Sequence, residues 1–171
     1  MEKGYVQVYT GNGKGKTTAA MGLALRAVCA GKKVIMIQFI KGMDYSELRA
    51  PELLPGFEIE QYGRDCFIFN TPEQEDINCA ADGLKRLRYV TGSGEYDVVI
   101  ADEINVALFH KLFSVSEVLD LIINRAEGTE LILTGRNAAQ EIIDAADLVT
   151  EMVEVKHYYN MGVDSRAGIE M

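Results

Sequence analysis

Eight consecutive residues, Gly11-Asn12-Gly13-Lys14-Gly15-Lys16-Thr17-Thr18, combine three glycines, two lysines and two hydroxyls. A bound phosphate chain needs a backbone that can turn successive N–H groups inward, a helix N-terminus behind it and one lysine to neutralise charge. The glycines permit that backbone, Lys16 supplies the charge, and Thr17 stands where a hydroxyl coordinates a Mg²⁺ (or Mn²⁺) ion bridging phosphate oxygens. The usual spacing is G-x-x-x-x-G-K-[ST], and this chain has Thr10 in the first place. A flexible Gly/Lys turn would have the same composition, so the deciding context is a strand before the loop and a helix after it.

The second group is Asp102-Glu103, at the end of the apolar run Val98-Val99-Ile100-Ala101. A carboxylate at the carboxyl end of a parallel strand beside a phosphate loop can hold Mg²⁺ directly or through water. The same pair also reads as a solvated helix cap after a strand. Which of the two would touch the metal stays open on the residues alone.

These groups need elements to position them, and the sequence supplies a regular alternation. Residues 5–10 read as a strand running straight into the loop, and residues 16–30, almost all Ala, Leu, Met or Val, as a helix buried on nearly every side. Residues 33–39 (KVIMIQF), 57–61, 97–102, 130–134 and 148–155 read as further strands. Their continuous apolar character suits parallel strands covered on both faces. Thr71-Pro72-Glu73-Gln74 and Ser114-Val115-Ser116-Glu117 read as capping boxes, and Asn137 as the cap of a short helix carrying Ile142 and Ile143. The predicted class is α/β with a mainly parallel sheet flanked by helices, one domain over residues 1–171, and ligands at the carboxyl ends of the strands.

Composition limits the partners. With 17 basic and 26 acidic side chains the formal net charge is −9, and no Lys/Arg-rich run is present, which argues against general nucleic-acid binding. Nothing resembles a signal peptide or approaches a membrane span, so a cytoplasmic protein is expected. Three cysteines without C-x-x-C spacing and two histidines fit reduced packing residues rather than a disulfide framework or a zinc site. A loop of this kind suits an ATP hydrolase, a phosphotransferase, another nucleotide-dependent transferase or a non-catalytic nucleotide-binding module.

The wording around the loop is more specific. Residues 10–20 (TGNGKGKTTAA), Arg26-Ala27, Gln38-Phe39-Ile40-Lys41-Gly42, Asp102-Glu103, Thr134-Gly135-Arg136, Ala146-Asp147, Lys156-His157 and Gly168-Ile169-Glu170 follow one another in the order found in P-loop ATP:corrinoid adenosyltransferases, which this chain closely resembles over its length. The resemblance implies a P-loop, RecA-like fold and transfer of the 5′-deoxyadenosyl group of ATP to the Co(I) of a reduced corrinoid, with triphosphate leaving. On it, residues 11–18, namely Gly11, Asn12, Gly13, Lys14, Gly15, Lys16, Thr17 and Thr18, bind ATP with Arg136; Arg136 could equally sit in a surface salt bridge. Lys16, Thr17 and Glu103 are the expected catalytic set, and Thr17, Asp102 and Glu103 serve the metal, with Glu103 slightly favoured for direct contact.

Phe67 and Phe69 match the place where such enzymes insert aromatics beneath the corrin, although this chain has no tryptophan; filling the core is the other reading. His157 is not expected to ligate cobalt. The resemblance also implies a homodimer and an electron donor such as a flavoprotein. The family often closes its site with an N-terminal extension; only four residues precede the first strand here, leaving the cover absent or supplied by another segment such as residues 43–55.

Overall fold

A computed structural model describes residues 2–65 and 71–171. Six strands, β1 (Val6–Thr10), β2 (Val34–Phe39), β3 (Phe57–Tyr62), β4 (Val98–Asp102), β5 (Glu130–Thr134) and β6 (Leu148–Glu151), form one sheet in the order β3-β2-β4-β5-β1-β6. Every pairing is parallel. One strand, β5, separates the strand entering the phosphate loop from the strand carrying the acids, the order that the RecA-like expectation requires.

Parallel strands covered on both faces explain the continuous apolar runs. In β2 the alternate residues Ile35, Ile37 and Phe39 join a core on one face of the sheet, and Val34 and Met36 join another on the opposite face. The first core is closed by α3 (Gln74–Ser93), α4 (Ile104–Phe109), α5 (Val115–Ile123) and α6 (Gln140–Ala145) through Leu84, Leu87, Ile104, Leu121 and Ile142. The second is closed by α1 (Lys16–Cys29) and α2 (Ala50–Leu53).

Four local expectations are corrected. Helix α1 is not buried all round: Ala20 and Ala24 face the sheet, while Thr18, Gly22, Leu25 and Arg26 are exposed, because a single layer of helix covers that side. Helix α3 starts two residues later than the Thr71 box implies. Glu73 is its N-cap, and its backbone N–H donates to Asp76 Oδ2 at 2.8 Å, so a second carboxylate one turn on wins the competition to cap. Asn137 adopts the left-handed conformation (φ 58°) and does not cap; α6 begins at Gln140 after Ala139. Strand β6 ends at Glu151, since the chain then leaves the sheet to pass beneath the phosphate loop. The Ser114 box forms as expected, with Ser114 N–H donating to Glu117 Oε2 and Glu117 N–H to Ser114 Oγ. Among the described residues no helix is long and apolar enough to cross a membrane.

Candidate active site

The carboxyl ends of β1, β4 and β5 share one edge of the sheet, and the loop from Gly11 to Gly15 leaves β1 there and enters α1. Two glycines are required by contact: a Cβ on Gly11 or Gly13 would stand 2.5 or 2.7 Å from the Met152 carbonyl oxygen. Gly15 is required by conformation, with φ 121° at the residue before the helix. The segment after β6 therefore supports the loop from below, Gly13 N–H donating to Met152 O at 2.7 Å and Met152 N–H to Thr10 O at 2.8 Å. Thr10 is nearly buried and accepts the Ala138 N–H on its hydroxyl at 3.3 Å, giving the unusual first residue of the motif a structural task. Gly13→Ala is expected to lower stability by about 1–3 kcal/mol through overpacking against the chain at 152–153 and to weaken ATP binding; thermal unfolding with and without ATP measures both.

Lys16, only 7% exposed, folds its ammonium back under the loop and donates to Gly11 O at 2.8 Å and Gly13 O at 2.9 Å. Burial lowers its pKa, and Arg136 works in the same direction against the pull of Glu103 and Asp102. An arriving polyanion would offset that cost. Lys14 is committed elsewhere: it donates to Ile169 O at 2.7 Å and lies 3.8 Å from Glu170.

Asp102 is fully buried and saturated. Its Oδ1 accepts from the Thr17 hydroxyl at 2.8 Å and the Thr134 hydroxyl at 2.7 Å. Its Oδ2 accepts from Lys41 Nζ at 2.8 Å and Gln38 Nε2 at 3.2 Å. Thr134 in turn accepts the Glu103 N–H at 2.9 Å, fixing the turn in which Glu103 adopts φ 59°. Glu103 faces the cavity, and among the described residues its carboxylate has no hydrogen bond or ion pair. Burial and then the neighbouring Asp102 raise its pKa, with Lys41, Lys16 and Arg136 opposing.

A cavity of about 740 Å³ opens above these groups. Lys16, Thr17, Thr18, Glu103 and Arg136 line it, so Arg136 stands on the cavity wall, held there behind Gly135. A Cβ on Gly135 would lie 3.0 Å from Asn105 Cβ. Tyr45, Ser46 and Glu47 border the cavity, as do residues 168–171 near the end of the chain. Ser46 Oγ donates to Met171 O at 2.8 Å, so this tail stretches from Lys14 to Ser46 across the opening. Both the 43–55 segment and the tail thus border the site. His157 also lines the cavity, but its Nδ1 accepts the Tyr159 N–H at 3.1 Å within a short turn.

The family model for ATP:corrinoid adenosyltransferase BtuR/CobO/CobP matches residues 2–171. The chain belongs to this ATP:corrinoid adenosyltransferase family. It is 35% identical to the corrinoid adenosyltransferase of Escherichia coli K12 over 99% of this chain and 86% of that protein. It is 34% identical to the Sinorhizobium sp. corrinoid adenosyltransferase over 99% and 81% of the two chains. Against the Pseudomonas aeruginosa corrinoid adenosyltransferase the identity is 35%, over 99% and 84%.

Within this adenosyltransferase chain the structure brings Lys16, Thr17, Thr18, Glu103 and Arg136 to one cavity, with Asp102 buried behind Thr17 and the Lys14 ammonium turned to the 168–171 tail. Phe67 and Phe69 lie outside the described residues. Lys41, Gln38 and Thr134 were not singled out for the site on sequence grounds. The available signal was Gln38, a polar residue near the carboxyl end of an otherwise apolar strand, followed closely by a lysine.

Among the described residues no three His, Cys, Asp or Glu side chains converge on a common metal position. The donors that do face the cavity, the Thr17 hydroxyl and the Glu103 carboxylate, are hard oxygens suited to Mg²⁺ shared with phosphate oxygens.

Proposed function

We propose that residues 1–171 act as one P-loop domain that transfers the 5′-deoxyadenosyl group of ATP to the Co(I) of a reduced corrinoid. The observation that carries this reading is the family match over residues 2–171. The cavity over the phosphate loop is consistent with it. The Co(I) electron pair forms the Co–C5′ bond as the C5′–O5′ bond breaks, and the leaving triphosphate takes the bonding pair. Co(I) is itself a strong nucleophile, so the protein needs no general base. Its work is orientation and stabilisation of the departing charge.

Lys16 and the loop amides are the proposed triphosphate holders, with Arg136 lining the same cavity. Thr17 and Glu103 would hold Mg²⁺, which would neutralise phosphate charge. Asp102 already uses both oxygens within the protein, which supports an orienting role through the Thr17 hydroxyl and favours Glu103 for direct metal contact. Corrinoid contacts by Phe67 and Phe69, a homodimeric state and a flavoprotein-type electron donor rest on the family resemblance, and a cytoplasmic setting on the sequence composition.

The test is product analysis. Incubation with ATP, Mg²⁺ and chemically reduced cobalamin is expected to give a light-sensitive Co–C product and triphosphate in equal amounts. ADP as the only nucleotide product would overturn this function in favour of cleavage at the γ-phosphorus, with Glu103 polarising water.

A further inference from the structure

Among the described residues Lys41 is the one cation in direct contact with Asp102, and none of the roles above uses it. Its ammonium sits 2.8 Å from Asp102 Oδ2 and 3.5 Å from Glu47 Oε1, with side-chain exposures of 15%, 0% and 18% for the three residues. Gln38 Nε2 spans the same two carboxylates at 3.2 and 3.3 Å, and its Oε1 accepts from Gln61. Two anions therefore flank one lysine, both linked by the same amide.

The backbone fixes where that lysine points. Ile40, a β-branched residue, holds φ 64°, a conformation such side chains strongly disfavour. The turn is pinned from both sides: a Cβ on Gly63 would lie 2.4 Å from Ile40 C, and one on Gly42 would lie 2.4 Å from Arg64 C. Strain of this kind persists only where the surroundings over-determine it. Here its effect is to deliver Lys41 from the end of β2 onto the acid at the end of the adjacent β4, where Gln38 and Asp102 are register partners.

The charge arrangement has a consequence for metal entry, on the reading that the cavity takes ATP with a divalent cation. Within the protein itself the Asp102 charge is already balanced by Lys41. A bare divalent ion against Thr17 and Glu103 would meet a fixed ammonium across Asp102, and such repulsion is large away from bulk water. Phosphate oxygens would compensate it, and Glu47 gives Lys41 a second anion to lean on. We propose that Lys41 is a tethered counter-cation that keeps the site closed to free divalent metal, so that the metal enters only together with the nucleotide's phosphates. Lys41 is thus a positioning residue, acting through Asp102.

Mn²⁺ binding to nucleotide-free protein, followed by electron paramagnetic resonance, tests this without reference to turnover. The unsubstituted protein and Lys41→Arg are expected to bind Mn²⁺ weakly. Lys41→Gln, which keeps a hydrogen-bond donor for Asp102 but no charge, and Lys41→Met are each expected to bind it at least about tenfold tighter; the gain should vanish when Asp102→Asn is added. Equal Mn²⁺ affinity in the unsubstituted protein and Lys41→Gln, or a gain that survives Asp102→Asn, would overturn the proposal. Should Lys41→Met not fold, Lys41→Gln carries the comparison. Tight Mn²⁺ binding by the unsubstituted protein without nucleotide would overturn it on its own. A failure of adenosyl transfer in the product assay leaves these binding outcomes readable, and the two ideas can fail separately.

Discussion

Lys16→Ala is expected to slow adenosyl transfer from preformed Co(I) corrinoid by about 10²–10³-fold at saturating ATP, the range for losing one preorganised charge-stabilising donor. The ammonium is buried beneath the loop, bonded to the carbonyls of Gly11 and Gly13, and burial lowers its pKa. The folded chain therefore bears a charge that it stabilises poorly, and a departing triphosphate relieves that cost as its own charge grows. Removing the ammonium also frees two loop carbonyls, a loss of about 1–3 kcal/mol that leaves the sheet and both cores in place. Initial rates and a thermal melt on the same preparation separate the two effects. A rate within threefold of the unsubstituted protein would take Lys16 out of the chemistry.

Asp102→Ala is expected to act on the fold itself, lowering stability by about 3–5 kcal/mol, the cost of removing one partner from a buried ion pair. Four donors lose their acceptor at once: the Thr17 and Thr134 hydroxyls, the Gln38 amide and the Lys41 ammonium. Lys41 keeps Glu47 at 3.5 Å and the face of the Tyr45 ring, 5.2 Å from its ammonium. For a chain of this size the melting temperature should fall by roughly 6–20 °C. Because much of that cost is the stranded ammonium, adding Lys41→Met to Asp102→Ala should recover part of it. A double variant as unstable as the sum of the single ones would mean that the two side chains do not act as a pair.

The parts of the site legible in the sequence were those whose requirements are local. A phosphate loop needs particular residue types in one short stretch, and Gly11 to Thr17 has them in a row. Asp102 and Glu103 stood out because an apolar run ended in acid. The Asp102–Lys41 pair was not legible, because it depends on β2 and β4 lying side by side in one register, 61 residues apart in the chain. The contact of the 168–171 tail with Lys14 and Ser46 was hidden for the same reason. Helix starts failed differently. Thr71 is the residue type that favours a cap, and the Asp76 carboxylate returning to the Glu73 N–H moves the cap to Glu73 instead. Helix α1 misled because its composition is that of a core helix, while its position on the sheet leaves one side to solvent.

The strand order has a consequence for how the protein is made. Among the described residues the strand that enters the phosphate loop, β1, pairs with β5 and β6 alone, and its partners in register come more than 120 positions later. A ribosome must complete nearly the whole chain before β1 finds a neighbour, whereas β2, β3 and β4 can pair among themselves much sooner. Contacts this distant are slow to form because the intervening loop must close first. Nucleotide affinity therefore arrives late in folding, with the last strands, and a nascent chain carries its phosphate-loop sequence for most of synthesis without the sheet that shapes it.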